Sequence, residues 1–337
     1  MLNFDEQRFI RIQSGALALA DDIDEAIGEC IANGQQNLFF LGSGGAGILM
    51  LPAARLLQTR STFAVFWDMP AELVLTGSVH LGPRSIVVIP SLSGTTTESV
   101  AVLDCVKSKG AAAITLVGHS GTHLANEADT ALVNFAEDDT SSESFYLQSL
   151  LVALSVMKHR GECDTYSAVL AELQRLPELL VEVKSGFEQR AEQLSERIKD
   201  EPYHIITGAG STWPAALYYG MCILEEMQWI RTRPVHASDF FHGTLELVEE
   251  GVSVIVCKGE DDSRPLVERV ENFAPRYTDK VVLFDTVEFA LPGISDRVRA
   301  LVSPILLATV FERLSAHLEV KRNHPLTTRR YYKRVAY

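Results

Sequence analysis

Ile86-Val-Val-Ile-Pro-Ser-Leu-Ser-Gly-Thr-Thr-Thr-Glu98 is the stretch whose reading decides the fold. Ile86 to Ile89 is a β-branched run with the length of a buried strand, too short for a helix. Pro90 closes it, and Ser91, Ser93, Gly94 and three threonines follow. Val100, Ala101, Val102 and Leu103 then open a helical segment that runs to Lys109. Strand, hydroxyl-rich turn and helix make the layout of an anion site, because free N–H groups and the positive end of the helix dipole face the turn. Neutral donors without a lysine suit a phosphate monoester that is bound and later released. The GxxxxGK[ST] pattern of a nucleotide P-loop is absent. An ordinary N-cap uses the same residue types, but three Thr and two Ser around one Gly exceed what capping needs.

Upstream, Asn37 to Leu41 reads as a strand running into Gly42-Ser-Gly-Gly-Ala-Gly47, with a helix behind it to about Thr59. Glycines at such a turn let backbone approach a ligand; their order does not match the GxGxxG of a dinucleotide site. Residues 5–33 carry one helical face through Ile10, Ile12, Ala16, Leu17, Ile23 and Ile27, ending at Asn33-Gly34. Further β-like runs at Phe63–Trp67, Ile114–Val117 and Ala131–Asn134 alternate with helical stretches. That alternation predicts an α/β fold with a parallel sheet covered on both faces. The acidic, hydroxyl-rich turn Glu137–Ser144 opens an apolar helix from Phe145 to His159. Ser141, Ser142 and Glu143 there fit either a capping arrangement or a loop closing over the ligand.

Gly161 to Asp164 reads as a break, and a long helical segment follows from Ala168 to Asp200, with Pro177 at a helix start or a kink. The plan then begins again: strand 204–207, glycine turn 208–210, helix 214–227, strand 252–257, helix 264–273 and strand 281–284. Gly42-x-Gly44 matches Gly208-x-Gly210, which reads as an internal duplication. Two domains are expected, 1–163 and 164–337. The second copy has Cys257-Lys-Gly-Glu-Asp-Asp262 where the first has its serine loop, and three acids there would repel a phosphate. One phosphate site per chain is the expectation, in the first half.

A chain of 337 residues with 47% hydrophobic and 22% charged residues has the material for two cores. A net charge of −14 argues against nucleic acid or an anionic membrane as partner. Five scattered cysteines without CxxC spacing predict neither a zinc site nor disulfides, which fits a reducing cytoplasm. The first residues, MLNFDEQRFIRIQ, lack the apolar core of a signal peptide. The longest apolar stretch, Ile305 to Phe311, is far short of a membrane span.

Two residues are candidates for proton transfer. Glu226 sits among Ile223, Leu224, Met227 and Trp229, where half-burial would raise a carboxyl pKa toward that of a general base. An ordinary surface acid is the competing reading; Glu225 points about 100° away round the helix and is the solvated one. His242, in Phe240-Phe-His-Gly243, titrates near neutrality and can pass a proton either way. A satisfied core histidine is the competing reading there, and His236 and Asp239 stand close enough in sequence to orient it. The tail from Asn323 is basic and carries three tyrosines, so it is expected to dock, with its arginines meeting an anionic substrate or a partner subunit.

Taken together, the Ser91–Glu98 loop, the paired GxG turns, Glu226-Met-Gln-Trp-Ile, Ser-Asp-Phe-Phe-His-Gly243 and His324-Pro-Leu-Thr-Thr-Arg-Arg-Tyr331 resemble the sugar isomerase (SIS) family. The likeness covers nearly the whole chain as two tandem SIS domains. It is closer to the fructosamine-6-phosphate deglycases than to the isomerase half of glucosamine-6-phosphate synthase. The resemblance implies flavodoxin-like three-layer domains, with Ser91, Ser93 and Thr96 on the sugar phosphate and Gly44 and Gly45 lining the sugar. Ser43, Leu92, Ser141 and Arg330 complete the expected substrate-binding set. It further implies Glu226 as base, His242 as acid, no metal or organic cofactor, and a homodimer in which His242 serves the other subunit's site. Ser238-Asp239 stands where the family usually has Gly-Glu. Arg330 stands where synthase-type isomerases carry a Schiff-base lysine, with Lys333 three residues on; arginine does not form that imine at ordinary pH. A phosphosugar isomerase, an amino-sugar-phosphate deaminase and a non-catalytic phosphosugar sensor are the alternatives on the same scaffold.

Overall fold

The β-branched runs are strands of two parallel sheets. In the computed structural model, which describes residues 1–332 and 334–336, the first sheet contains β1 (Asn37–Phe40), β2 (Ala64–Trp67), β3 (Ser85–Ser91), β4 (Ala112–Val117) and β5 (Thr130–Val133). Lys333 and Tyr337 of the tail lie outside the described residues. The order is β2-β1-β3-β4-β5, all parallel. All seven residues of β3 are buried, as a strand covered on both faces requires. The second sheet contains β6 (Tyr203–Gly208), β7 (Arg231–His236), β8 (Ser253–Lys258) and β9 (Val281–Asp285), in the order β7-β6-β8-β9, also parallel. The wiring is the same in both, so the duplication read from the glycine turns holds at the level of topology. The first sheet has the flavodoxin-like order, whose switch point lies between β1 and β3; its counterpart lies between β6 and β8. Ligands in open α/β sheets bind outside the carboxyl ends of strands at such a point. The glycine turn and the serine loop leave β1 and β3 there.

The chain divides into two compact units, Glu6–Pro177 and Glu178–Tyr337 joined by Met1–Asp5. Residues 161–164 lie inside the first unit, because the helix Tyr166–Leu173 still packs with it: the Lys158 ammonium sits 4.7 Å over the Tyr166 ring. Pro177 stands at the start of the helix Leu176–Ile198, not at a kink. The single helical period of residues 5–33 is two helices, Glu6–Ala18 and Ala20–Ala32.

The helix Asp296–Lys321 is long and apolar enough, by length and composition, to cross a membrane, which the uninterrupted run Ile305–Phe311 did not suggest. Most of it is buried inside the protein. Arg313 is fully buried on it, against both Glu312 and Glu188, and donates to the Leu2 carbonyl at 2.8 Å. Lys184, also fully buried, reaches Glu312 at 2.8 Å. Burial alone would disfavour charge on Glu312, but Lys184 and Arg313 outweigh it and lower its pKa; Glu188, also opposed by burial, is lowered by the Leu2 N–H and then by Arg313 and His317. Arg313→Ala strands these carboxylates and should cost roughly 3–5 kcal/mol, read as a fall in denaturation midpoint. Groups with depressed folded pKa values stabilise above the ordinary carboxylate pKa of about 4.3 and lose that contribution as pH falls below it. Thermal melts should therefore hold steady from neutral pH to about 5 and drop below about 4; an unchanged midpoint at pH 3 would rule the network out as the cause.

Candidate functional site

The serine loop is built as a concave set of hydroxyls. Ser91 Oγ lies 3.4 Å and Ser93 Oγ 3.5 Å from Thr96 Oγ1. The Gly94 N–H donates to Ser91 Oγ at 3.2 Å, and the Thr95 N–H and hydroxyl donate to Ser93 Oγ at 3.4 and 3.2 Å. Gly94 has φ +64, and a Cβ there would stand 2.2 Å from Thr122 Oγ1, so both conformation and space demand glycine. Thr96 caps the helix Thr97–Ser108 in extended conformation without a side-chain cap bond, which leaves first-turn N–H groups open to another acceptor. Leu92 fixes the loop's floor, its carbonyl accepting from the Gly118 N–H at 3.0 Å. On the neighbouring strand end, Gly44 adopts φ +54 with open space at its Cβ position, beside Gly45. The Ser43 hydroxyl before them is buried and lacks a hydrogen-bond partner among the described residues. Ser141 begins the helix Ser141–His159 and donates to the Asp138 carbonyl at 3.4 Å, in a turn that Arg8 pins through Glu137 and Asp139.

The matching place in the second unit is filled from within. Gly210 repeats φ +54, but the Asp261 carboxylate lies where a Cβ would go. Asp261 accepts from the Ser211 N–H at 2.8 Å, the Ser211 hydroxyl at 2.5 Å, the Ser263 N–H at 2.8 Å and the Ser263 hydroxyl. Burial works against its charge; these donors outweigh that and lower its pKa. Lys258 is closed on Glu271 and Asp285, and Glu260 on Arg299. Asp261 is thus the anion that this turn of the second unit already holds.

Glu226 does not lie in an unbroken α-helix. The segment after the second glycine turn is α-helical over Trp213–Tyr218, a π-helix over Tyr219–Glu225 and α-helical again over Glu226–Gln228. It ends on Trp229 in the left-handed conformation, φ 56, a costly state for an aromatic residue. π-turns concentrate at functional sites. The Glu226 side chain is 36% exposed, and Arg329 Nε stands 3.0 Å from its Oε1. The carboxylate thus has a cationic partner where the sequence suggested a purely apolar setting. Glu225 is exposed yet fixed, accepting from the Thr232 hydroxyl at 2.6 Å. One turn earlier, burial and then Glu226 push the Cys222 thiol up to about 12. The tail docks on this helix end: Gln228 Nε2 donates to the His324 carbonyl at 2.8 Å, the His324 ring packs on Trp229 at 4.4 Å, and the Arg330 guanidinium lies 3.8 Å over Trp229.

His242 is exposed, so the core-histidine reading fails. Its turn is anchored by buried Phe240 and by Phe241, which meets Phe273 edge-to-face and carries the Arg269 guanidinium over its ring at 4.5 Å. His242 lines an open cleft of about 650 Å³ with Trp213, Arg233, His236, Asp239 and Thr244. His236 Nδ1 accepts from the Ser238 N–H at 3.2 Å. Thus Ser91, Ser93 and Thr96 come together in the first unit, while Glu226 and Arg330, on one helix end, and His242 belong to the second. Arg233 and Asp261 were not singled out by the sequence, and Arg329 only as one of the tail's arginines; its pairing with Glu226 is the structure's addition.

Comparison with known proteins finds a family likeness. A model described as "SIS domain" matches residues 32–158, the span of the first sheet with its glycine turn and serine loop. Residues 32–158 thus match the SIS domain. The likeness extends beyond the SIS domain to the rest of the chain. The fructosamine deglycase FrlB of Bacillus subtilis (strain 168) is 29% identical, over 89% of this chain and 92% of its own. The fructoselysine 6-phosphate deglycase of Escherichia coli (strain K12) is 25% identical, over 90% and 87%. A crystal structure of a candidate phosphosugar isomerase from Salmonella typhimurium LT2 superposes with a TM-score of 0.86 at 28% identity, covering 97% of each chain. The SIS domain and the unit that follows it therefore occur as a pair in these relatives.

Proposed function

We propose that the protein is a deglycase that cleaves a fructosamine 6-phosphate, the phosphorylated Amadori product of an amino acid, into glucose 6-phosphate and free amine. The observation that carries this reading is the hydroxyl cradle at the switch point of an SIS domain within a chain matched over 89% of its length by a fructosamine deglycase. Ser91, Ser93 and Thr96 take the phosphate, while Ser43, Gly44, Gly45, Leu92 and Ser141 line the sugar. The buried, unpartnered Ser43 hydroxyl is a donor held ready for a ligand oxygen. Proton transfer falls to Glu226 and His242. His242 helps open the ring, and Glu226 takes a proton from C1 to give an enaminol. Reprotonation at C2 leaves an imine at C1, and one water adds to it, releasing the amine and leaving the aldehyde of glucose 6-phosphate. The substrate's own C2 carbonyl takes up the electron pair from C1, and the nitrogen lone pair drives protonation at C2, so the steps call for no further group. Arg330 packs on Trp229 instead of presenting an amine, which favours a deglycase over a lysine-dependent isomerase. The exposure of His242 suits a homodimer in which it serves the partner's substrate.

A coupled assay for glucose 6-phosphate, run over fructosyl-amino acid 6-phosphates with glucosamine 6-phosphate and fructose 6-phosphate alongside, tests the reading. Release from an Amadori compound is the expected result. Turnover of the simple sugars alone would move the protein to the isomerase or deaminase branch. Silence throughout, with phosphosugars still raising the melting temperature, would make it a sensor.

A further inference from the structure

We propose that the cleft beside His242 reads the amino acid head of the substrate's amine, with Arg233 taking its carboxylate. This rests on the deglycase reading for the sugar half of the ligand. Arg233 lies on edge strand β7, exposed, and its Nε donates to Thr244 Oγ1 at 3.0 Å. That bond to a buried threonine sets the guanidinium at the cleft wall without neutralising it. In the same unit Arg190, Arg264, Arg299 and Arg313 close on carboxylates, and Arg269 and Arg330 lie over aromatic rings, whereas Arg233 closes on a hydroxyl at the cleft wall. Among the described residues no carboxylate pairs with Arg233. In a chain with 44 acidic residues against 30 basic ones, an arginine without an acid, lining a cleft, is an anion receptor.

The cleft chooses the kind of anion. Asp239 also lines it, and would repel a ligand carrying negative charge alone. An α-amino acid head carries a carboxylate and a protonated nitrogen on one carbon, so it meets Arg233 and Asp239 together. Trp213, edge-on to His236 with centroids 5.7 Å apart, supplies an apolar wall for the carbon chain. The sugar phosphate has its own hydroxyl cradle in the first unit and does not need Arg233. The cleft is shared with His242, which the proposed mechanism sets at the sugar ring of the partner's substrate, so the amine read by Arg233 is that same substrate's.

The test compares ligands that differ only in the carboxylate: the 6-phosphofructosyl derivatives of alanine and ethylamine, and those of lysine and cadaverine, titrated calorimetrically into the full-length protein. The parent should favour the carboxylate-bearing member of at least one pair by ~10- to 100-fold. Arg233→Ala should bring that ratio close to one, and Arg233→Lys should restore part of it. Equal affinities in the parent, a preference that survives in Arg233→Ala, or no binding by any member would overturn the assignment. Release of glucose 6-phosphate is followed in the same samples. Its absence would end the deglycase reading and leave the affinity ratio to judge Arg233 by itself.

Discussion

Glu226→Gln is expected to lower kcat for glucose 6-phosphate release by ~10²- to 10⁴-fold, the span of a positioned general base, while substrate still binds. The substitution keeps shape and an oxygen for Arg329 Nε, now 3.0 Å from Glu226 Oε1, so the tail has reason to stay docked. What it removes is the capacity to accept a proton from C1. The π-turn over Tyr219–Glu225 and the left-handed Trp229 bracket this side chain, and such backbone is retained where the surroundings impose it. The measurement is single-turnover kinetics beside calorimetric binding of the same ligand. Turnover within a few-fold of the parent would remove Glu226 from the mechanism. Loss of binding together with turnover would make it a structural anchor for the tail.

Ser93→Asp should weaken binding of a phosphosugar by about 100-fold or more, since a charge-assisted hydrogen bond is lost and a like charge is placed against the phosphate. The second unit supplies the precedent, for Asp261 there gathers the N–H and hydroxyl groups of Ser211 and Ser263 for itself. A carboxylate at Ser93 would draw on Thr95 and Thr96 in the same manner. The effect belongs in KM and Kd, with the melting temperature of the unliganded protein unchanged or raised. Equal loss with the unphosphorylated fructosamine would show that the loop does not hold the phosphate.

The sheets were legible through their central strands, which are buried on both faces and rich in β-branched residues, as in Ile86–Ile89. Strand β7 was not: Arg231-Thr-Arg-Pro-Val-His236 carries two arginines and a proline. It occupies a sheet edge, where proline and charge are tolerated, and it brings Arg233 and His236 to the cleft. The serine loop announced itself through composition, since few roles need so many hydroxyls. Arg329 did not, because its partner Glu226 lies a hundred positions away and no local pattern links them. The π-turn is invisible to a 3.6-residue periodicity, which reads 214–227 as one regular helix. The fully buried Arg313 and Lys184 likewise depend on acids from other elements, and sequence periodicity alone gives a charged residue no reason to go inside.

A turn closed by its own carboxylate opens at one free energy, whatever is dissolved around it. That is the condition of the Gly210–Ser211 turn, whose amide is spoken for by Asp261. The Gly44–Gly45 turn has no such occupant among the described residues, so on the proposed function its opening energy rises with ligand as RT ln(1 + [L]/Kd). Amide exchange at the two turns, followed in the same sample, would then move apart as substrate is added. Each molecule carries its own reference, and the ratio of the two rates reads occupancy without an external standard.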